Sequence, residues 1–145
     1  MLRKALTDFD MFTRLGKIRL RGYQKQAANA ILRAVLRREG KTFAVMFPRQ
    51  SGKNELQAQL ECYLLLLFSQ EGGEIVKVSP TLRPQCQTAM RQLERTLKAN
   101  PLTAPLCKKE AGSVYRIGKA TISFLSGAPG SKIVGATASL LLEVD

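Results

Sequence analysis

The sequence predicts an α/β fold with a mostly parallel sheet, and three observations lead to this prediction. A short, nearly continuous apolar run at residues 42–47 is typical of a strand buried on both faces of a parallel sheet. Apolar residues recur at spacings of three and four in the segments on either side of this run, which indicates helices. Further short apolar runs then alternate with a helical pattern, as expected for strands joined by helical crossovers.

The predicted elements are separated by glycine and proline stop signals. Helices are predicted at residues 2–15, 23–40, 54–69 and 83–99. Strands are predicted at residues 42–47, 75–79, 114–117, 120–125 and 140–145. Residues 101–112 and 126–135 are predicted to be loops, and we find no internal repeat. The 145 residues suit a single domain.

The chain is strongly basic, with 23 lysine and arginine residues against 11 acidic ones and a net charge of +12. A polyanion such as a nucleic acid is the natural partner of such a surface. The alternative is a solvated surface that binds nothing. Charge alone does not separate DNA from RNA.

Several classes of protein and of chemistry are excluded by composition. No apolar stretch approaches the ~18–20 residues of a membrane span, and the charged first 20 residues do not resemble a signal peptide. The three cysteines form no Cys-x-x-Cys pair and are expected to be reduced, as in the cytoplasm. With no histidine in the chain, nucleophiles activated by histidine are excluded.

The segment after residue 47 has the context of a phosphate-binding loop. A buried strand is predicted before it, Pro48 and Gly52 break that strand, and Lys53 precedes a helix. Backbone N–H groups at such a helix start attract anions, and lysine adds a point charge on the β- and γ-phosphates. The alternative is an ordinary strand-to-helix turn. Phe47 and Asn54 depart from the usual pattern, which has glycine and a hydroxyl residue at these positions.

The residues of this loop resemble the deviant Walker A motif of the large terminase subunit of tailed bacteriophages. The resemblance rests on Pro48, Arg49, Gln50, Ser51, Gly52, Lys53, Asn54 and Glu55. Residues 21–24 resemble the Q motif that precedes this loop, and residues 135–145 resemble the approach to Walker B. Over residues 19–145, the resemblance implies a P-loop NTPase three-layer sandwich that is incomplete after the Walker B strand.

The resemblance also implies a function. Members of this family use ATP and Mg²⁺ to drive double-stranded DNA into a preformed capsid. The expected partners are the capsid portal, the small terminase subunit and further copies of the same chain, in the host cytoplasm. The family's nuclease domain has no counterpart in these residues.

The resemblance assigns roles to individual residues. Arg49 and Lys53 are the expected catalytic residues, with Arg49 beside the γ-phosphate. Nucleotide contacts are expected from Tyr23, Gln24, Pro48, Arg49, Gln50, Ser51, Gly52, Lys53 and Asn54, with Gln24 hydrogen-bonding the adenine edge. Magnesium is expected on Asn54 and Asp145.

The family places its base glutamate directly after the Walker B aspartate, which corresponds to Asp145. Glu143 is not in that position, so the resemblance implies a chain that binds ATP and hydrolyses it poorly. It also implies an open sheet edge, since a later strand normally separates the loop strand from the Walker B strand. The alternatives are a helicase-like ATPase, which shares the Q motif and loop, and a non-catalytic basic nucleic-acid-binding remnant.

Overall fold

The computed structural model describes residues 8–47, 52–110, 112–127 and 138–144. Within them, α1 spans Phe9–Leu15, α2 Gly22–Leu36, α3 Lys53–Leu67 and α4 Gln87–Ala99. The strands are β1 Gly73–Ser79, β2 Cys107–Glu110, β3 Val114–Ile117, β4 Ala120–Ser126 and β5 Leu141–Val144. A π-helical turn at Leu82–Cys86 leads directly into α4.

The five strands form one mixed sheet with the order β2-β3-β4-β1-β5. Strand β1 pairs in parallel with both β4 and β5. The pairs β2–β3 and β3–β4 are antiparallel. The predicted α/β class is confirmed, whereas the sheet is mixed rather than mostly parallel. The antiparallel part arises because β2, β3 and β4 follow one another through short turns.

Helix α3 is the centre of the core. It contacts strands β3 and β4 as well as helices α1, α2 and α4. Leu64 and Leu65 in its middle are fully buried, and Leu56 and Leu60 are nearly so. The sheet face that carries Ile75, and its register partners in β4 and β5, is the more buried face. The packing of α3 against these elements therefore fixes the position of its N-terminus at Lys53.

The predicted strand at residues 42–47 is not a strand. These residues have no regular secondary structure, and Phe43, Val45 and Met46 are exposed, Met46 by 91%. A strand pairs its backbone N–H and C=O groups with a neighbouring strand, and residues 42–47 pair with none of the five described strands. The apolar composition of the run was therefore insufficient evidence for a strand.

The loop predicted at residues 101–112 contains a strand that the sequence analysis missed. Strand β2 pairs with β3 as an outer strand, and its Lys108, Lys109 and Glu110 are exposed. Charged side chains are common on edge strands, where they discourage pairing with other chains. They also remove the apolar alternation by which a strand is recognised in a sequence.

The remaining predictions agree closely with the structure. The helices predicted to start at residues 23, 54 and 83 correspond to α2, α3 and the π turn with α4. Residues 2–7 of the first predicted helix lie outside the described residues. None of the described helices is long and apolar enough to cross a membrane. Cys62, Cys86 and Cys107 are all free thiols, the first two buried and Cys107 half-buried.

Candidate nucleotide-binding site

Gly52 starts the helix that carries the candidate loop lysine. It is the N-terminal cap of α3 and has a φ angle of 86°, in the left-handed region that glycine adopts without a steric penalty. A Cβ atom at this position would collide with the side chain of Gln24. The left-handed backbone therefore favours glycine here, and any larger residue would also displace the Gln24 amide.

The side chain of Gln24 joins α2 to this helix start. Its Nε2 donates to the carbonyl oxygen of Gly52 at 2.9 Å, and its Oε1 accepts from the backbone N–H of Arg21 at 2.8 Å. Gln24 is 5% exposed, and the Gly52 carbonyl also accepts the first hydrogen bond of α3, from Leu56. Buried and bonded at both ends, Gln24 holds the Gly52 peptide in one orientation.

The expected adenine contact of Gln24 has to be compatible with these two bonds. Its Nε2 carries a second N–H group, and its Oε1 has a second lone pair beside the one that accepts from Arg21. An adenine edge would use one of these two free positions or replace one of the two protein contacts. The adenine role of Gln24 remains a prediction.

Tyr23 reaches the other side of the loop. Its ring packs edge-to-face against Phe47, with centroids 5.1 Å apart and an interplanar angle of 86°. Arg21 Nη1 donates to the Tyr23 hydroxyl at 3.1 Å. The segment that resembles a Q motif thus contacts the residue before the candidate loop through Tyr23 and the residue at its end through Gln24.

Lys53 and Asn54 form the first turn of α3, Lys53 half-buried and Asn54 exposed. The first N–H groups of a helix have no partner within the helix, and with the helix dipole they favour an anion at this end. Pro48, Arg49, Gln50 and Ser51, together with Asp145, lie outside the described residues. Their predicted roles therefore have no structural description.

Of the two expected magnesium ligands, Asn54 and Asp145, only Asn54 lies in the described part of the chain. Among the described residues, no group of three or more carboxylate, thiol or imidazole side chains comes together to hold a metal. Magnesium usually takes one or two protein oxygen ligands and completes its shell with phosphate and water oxygens. The exposed amide of Asn54 is one such oxygen donor on the described part of the chain.

Glu55, also in the first turn of α3, faces helix α4. Its Oε1 accepts from Gln59 Nε2 at 2.9 Å, and its Oε2 accepts from Gln92 Nε2 at 2.7 Å. Both carboxylate oxygens are thus committed to amide donors. A negative charge near the helix start is stabilised by the helix dipole and is here tied to α4.

A buried ion pair between α3 and β1 was not predicted from the sequence. Lys77 Nζ lies 3.0 Å from Glu61 Oε2 and 3.3 Å from Gln57 Oε1, and the Lys77 and Glu61 side chains are 4% and 1% exposed. Glu143 is the register partner of Lys77 in β5. The signal was present in the sequence, because Glu61 interrupts an apolar helix and Lys77 an apolar strand.

Glu143 lies in β5 directly opposite Lys77 of β1. Its side chain shares a sheet face with Lys77, as the strand period of two requires. Strand β5 is the outermost strand on its side of the described sheet. The polar side chains of β1 and β5 therefore meet beside α3, toward the carboxyl ends of the two parallel strands, where α/β folds often bind ligands.

Comparison of the chain with protein-family models, with curated proteins and with solved structures found no match.

Proposed function

We propose that this chain is the nucleotide-binding part of a P-loop ATPase that drives double-stranded DNA into a viral capsid, as a large terminase subunit does. The observation that carries the proposal is the contact between the Q-like segment and both sides of the candidate loop. Gln24 and Gly52 are 28 positions apart in sequence and share a hydrogen bond of 2.9 Å. Two motifs that resemble parts of one nucleotide site are thus adjacent in space.

The electrostatics of the site support an anionic ligand. The N-terminus of the 15-residue helix α3 carries a partial positive charge, and Lys53 adds a full one. The net charge of +12 also favours association with polyanions. In this proposal, Lys53 binds the β- and γ-phosphates, Arg49 stabilises charge on the γ-phosphate, and Tyr23 lines the base end.

ATP, when bound, supplies the phosphoanhydride bond whose cleavage drives DNA movement, and Mg²⁺ neutralises phosphate charge. The residues of this chain bind and orient the nucleotide. Gln24 holds the Gly52 carbonyl away from the phosphates, because that carbonyl is engaged by Gln24 and by Leu56 N–H. Asn54 and Asp145 are the proposed magnesium ligands.

The test is the binding of a non-hydrolysable ATP analogue to the purified chain, measured by calorimetry with and without Mg²⁺. The Lys53→Ala substitution removes the proposed phosphate contact. We expect it to weaken binding at least ~10-fold, because a charge-assisted hydrogen bond to phosphate is worth about 1.5–3 kcal/mol. Lys119→Ala is the control, since it also removes one lysine charge but at an exposed position in the turn between β3 and β4.

Equal affinity of the Lys53→Ala and Lys119→Ala variants would contradict the proposal. Binding of DNA with a steep salt dependence but without any response to the ATP analogue would favour the remnant that only binds nucleic acid. Hydrolysis stimulated by single-stranded nucleic acid, and not by duplex DNA, would favour the helicase-like alternative.

A further inference from the structure

Helix α4 has two very different faces. Leu93 and Leu97 are buried against the core, whereas Arg91, Arg95 and Lys98 are exposed. At 1.5 Å per residue, Arg95 lies about 6 Å and Lys98 about 10.5 Å along the helix from Arg91. The three cations therefore form a row. With Thr88 and Glu94, they line an open groove of about 370 Å³.

Strand β2 extends this row with Lys109. The Lys109 Nζ lies 5.8 Å from the centre of the Tyr115 ring. The Tyr115 hydroxyl in turn donates to Glu94 Oε2 of α4 at 2.9 Å. Tyr115 is thus the bridge that places β2 beside α4. We call the surface formed by Arg91, Arg95, Lys98 and Lys109 the basic face.

One carboxylate, Glu94, lies within the basic face. Lys98 Nζ approaches it at 3.0 Å, and this hydrogen bond, with that from Tyr115, lowers the pKa of Glu94. Glu94 is therefore ionised at neutral pH and offsets one of four positive charges. The basic face therefore has a net charge of about +3. Such an excess raises the local concentration of polyanions.

The basic face is connected to the candidate nucleotide site. Gln92 donates to Glu55 Oε2 at 2.7 Å, and Arg95 Nη2 donates to Gln92 Oε1 at 2.7 Å. A single side chain thus separates Arg95 from the first turn of α3. The same bond restrains the Arg95 side chain and reduces the rotamer entropy lost when it contacts a ligand.

We propose that the basic face binds the phosphate backbone of double-stranded DNA. The choice of DNA rests on the proposed function, whereas the location rests on the row of cations and on its bond to Gln92. Duplex DNA presents one negative charge per ~1.7 Å of axis, so a row of about 10.5 Å meets several phosphates. The contact positions the duplex without reading its sequence, as phosphate contacts do.

The experiment measures the affinity for a 30-base-pair DNA duplex by fluorescence anisotropy between 50 and 200 mM salt, without nucleotide. The variant Arg91→Gln/Arg95→Gln/Lys98→Gln removes three charges from the basic face. Each phosphate contact contributes about 0.9 to the slope of log affinity against log salt. We expect the slope to fall by about 2 to 3 and the affinity at 100 mM salt to fall at least ~10-fold.

The matched control is Arg33→Gln/Arg37→Gln/Arg38→Gln, which removes the same charge from the exposed end of α2. We expect its slope to change by less than ~1. A second variant, Arg91→Lys/Arg95→Lys, keeps the charge and is expected to keep the slope. If this variant keeps the slope, the effect of the triple variant comes from its lost charge. Circular dichroism checks that each variant is folded.

Equal losses in the two triple variants would overturn the location, because binding would then follow total charge. An unchanged slope in the basic-face variant would do the same. Tighter binding of a duplex RNA through these residues would overturn the choice of DNA. Because no nucleotide is present, failure of the ATP-analogue test leaves this result unaffected, and the two proposals fail separately.

Discussion

The chain on the two sides of the candidate loop differs in structure, although both sides are apolar in sequence. Downstream, α3 at Lys53–Leu67 is buried along most of its length. Upstream, residues 42–47 lack regular structure, and Met46 is 91% exposed. Apolar composition is thus a much better guide to structure on one side than on the other.

The difference follows from how each element satisfies its backbone. A helix pairs its own N–H and C=O groups, so α3 needs only a surface against which to bury one face. A strand needs a neighbouring strand. Strand β1 has both of its neighbours, β4 and β5, in the described sheet. Residues 42–47 pair with none of the described strands and have no regular secondary structure.

The largest expected effect concerns the buried ion pair that links α3 to β1. Lys77→Met leaves the Glu61 carboxylate buried without its cation, and we expect a loss of ~3–5 kcal/mol in the free energy of unfolding. Urea denaturation measures this. The double variant Glu61→Gln/Lys77→Met should recover much of the loss.

The exposed pair Lys98–Glu94 is the reference, and Lys98→Met should lower the free energy of unfolding by less than ~1 kcal/mol. A cost for Lys77→Met no greater than that of Lys98→Met would contradict the assigned role.

The next effect tests the difference in burial between α3 and residues 42–47. Leu64 is fully buried in the core. We therefore expect Leu64→Ala to lower the free energy of unfolding by ~2–5 kcal/mol. Met46→Ala, on the other side of the loop, should change stability by less than ~0.5 kcal/mol. Thermal and urea unfolding of both variants measure the contrast. A large loss from Met46→Ala would mean that residues 42–47 are buried in solution, as the sequence predicted.

The smallest effect is a dependence on alkaline pH. Burial raises the pKa of Tyr63 to about 12, and its ring packs against Phe9 and Phe12. In the unfolded chain, tyrosine loses its proton near pH ~10, so the unfolded state is favoured as the pH rises from about 10 to about 12. Stability should fall in this window. Unfolding curves of the wild type and of Tyr63→Phe measure the effect, and an identical pH dependence of the two would contradict it.

Local signals in the sequence were enough to predict much of the fold. The spacing of apolar residues located α2, α3 and α4, and the glycine at position 118 separated β3 from β4 as predicted. Pairing partners could not be predicted, because register and strand order depend on residues far apart in sequence. This is why β2, charged and at an edge, was missed and residues 42–47 were wrongly predicted to be a strand.

The same limit applies to the candidate site. Gly52, Lys53 and Gln24 were selected from the sequence, whereas the hydrogen bond between Gln24 and Gly52 was not expected. The partnership of Glu61 with Lys77 required the packing of α3 on β1 to be known. Residue type indicates chemistry, and only the tertiary structure shows which groups are used to hold the site together.

The three cysteines give the chain a ready means of attaching a reporter group at one site. Burial raises the pKa of Cys62 well above its usual value and also raises that of Cys86, so both thiols are poor nucleophiles at neutral pH. Cys107 is half-buried at the start of β2, two residues before Lys109 of the basic face. A maleimide dye should therefore label Cys107 selectively in the unmodified sequence. Its emission would report on the neighbourhood of the basic face without the introduction of a new residue.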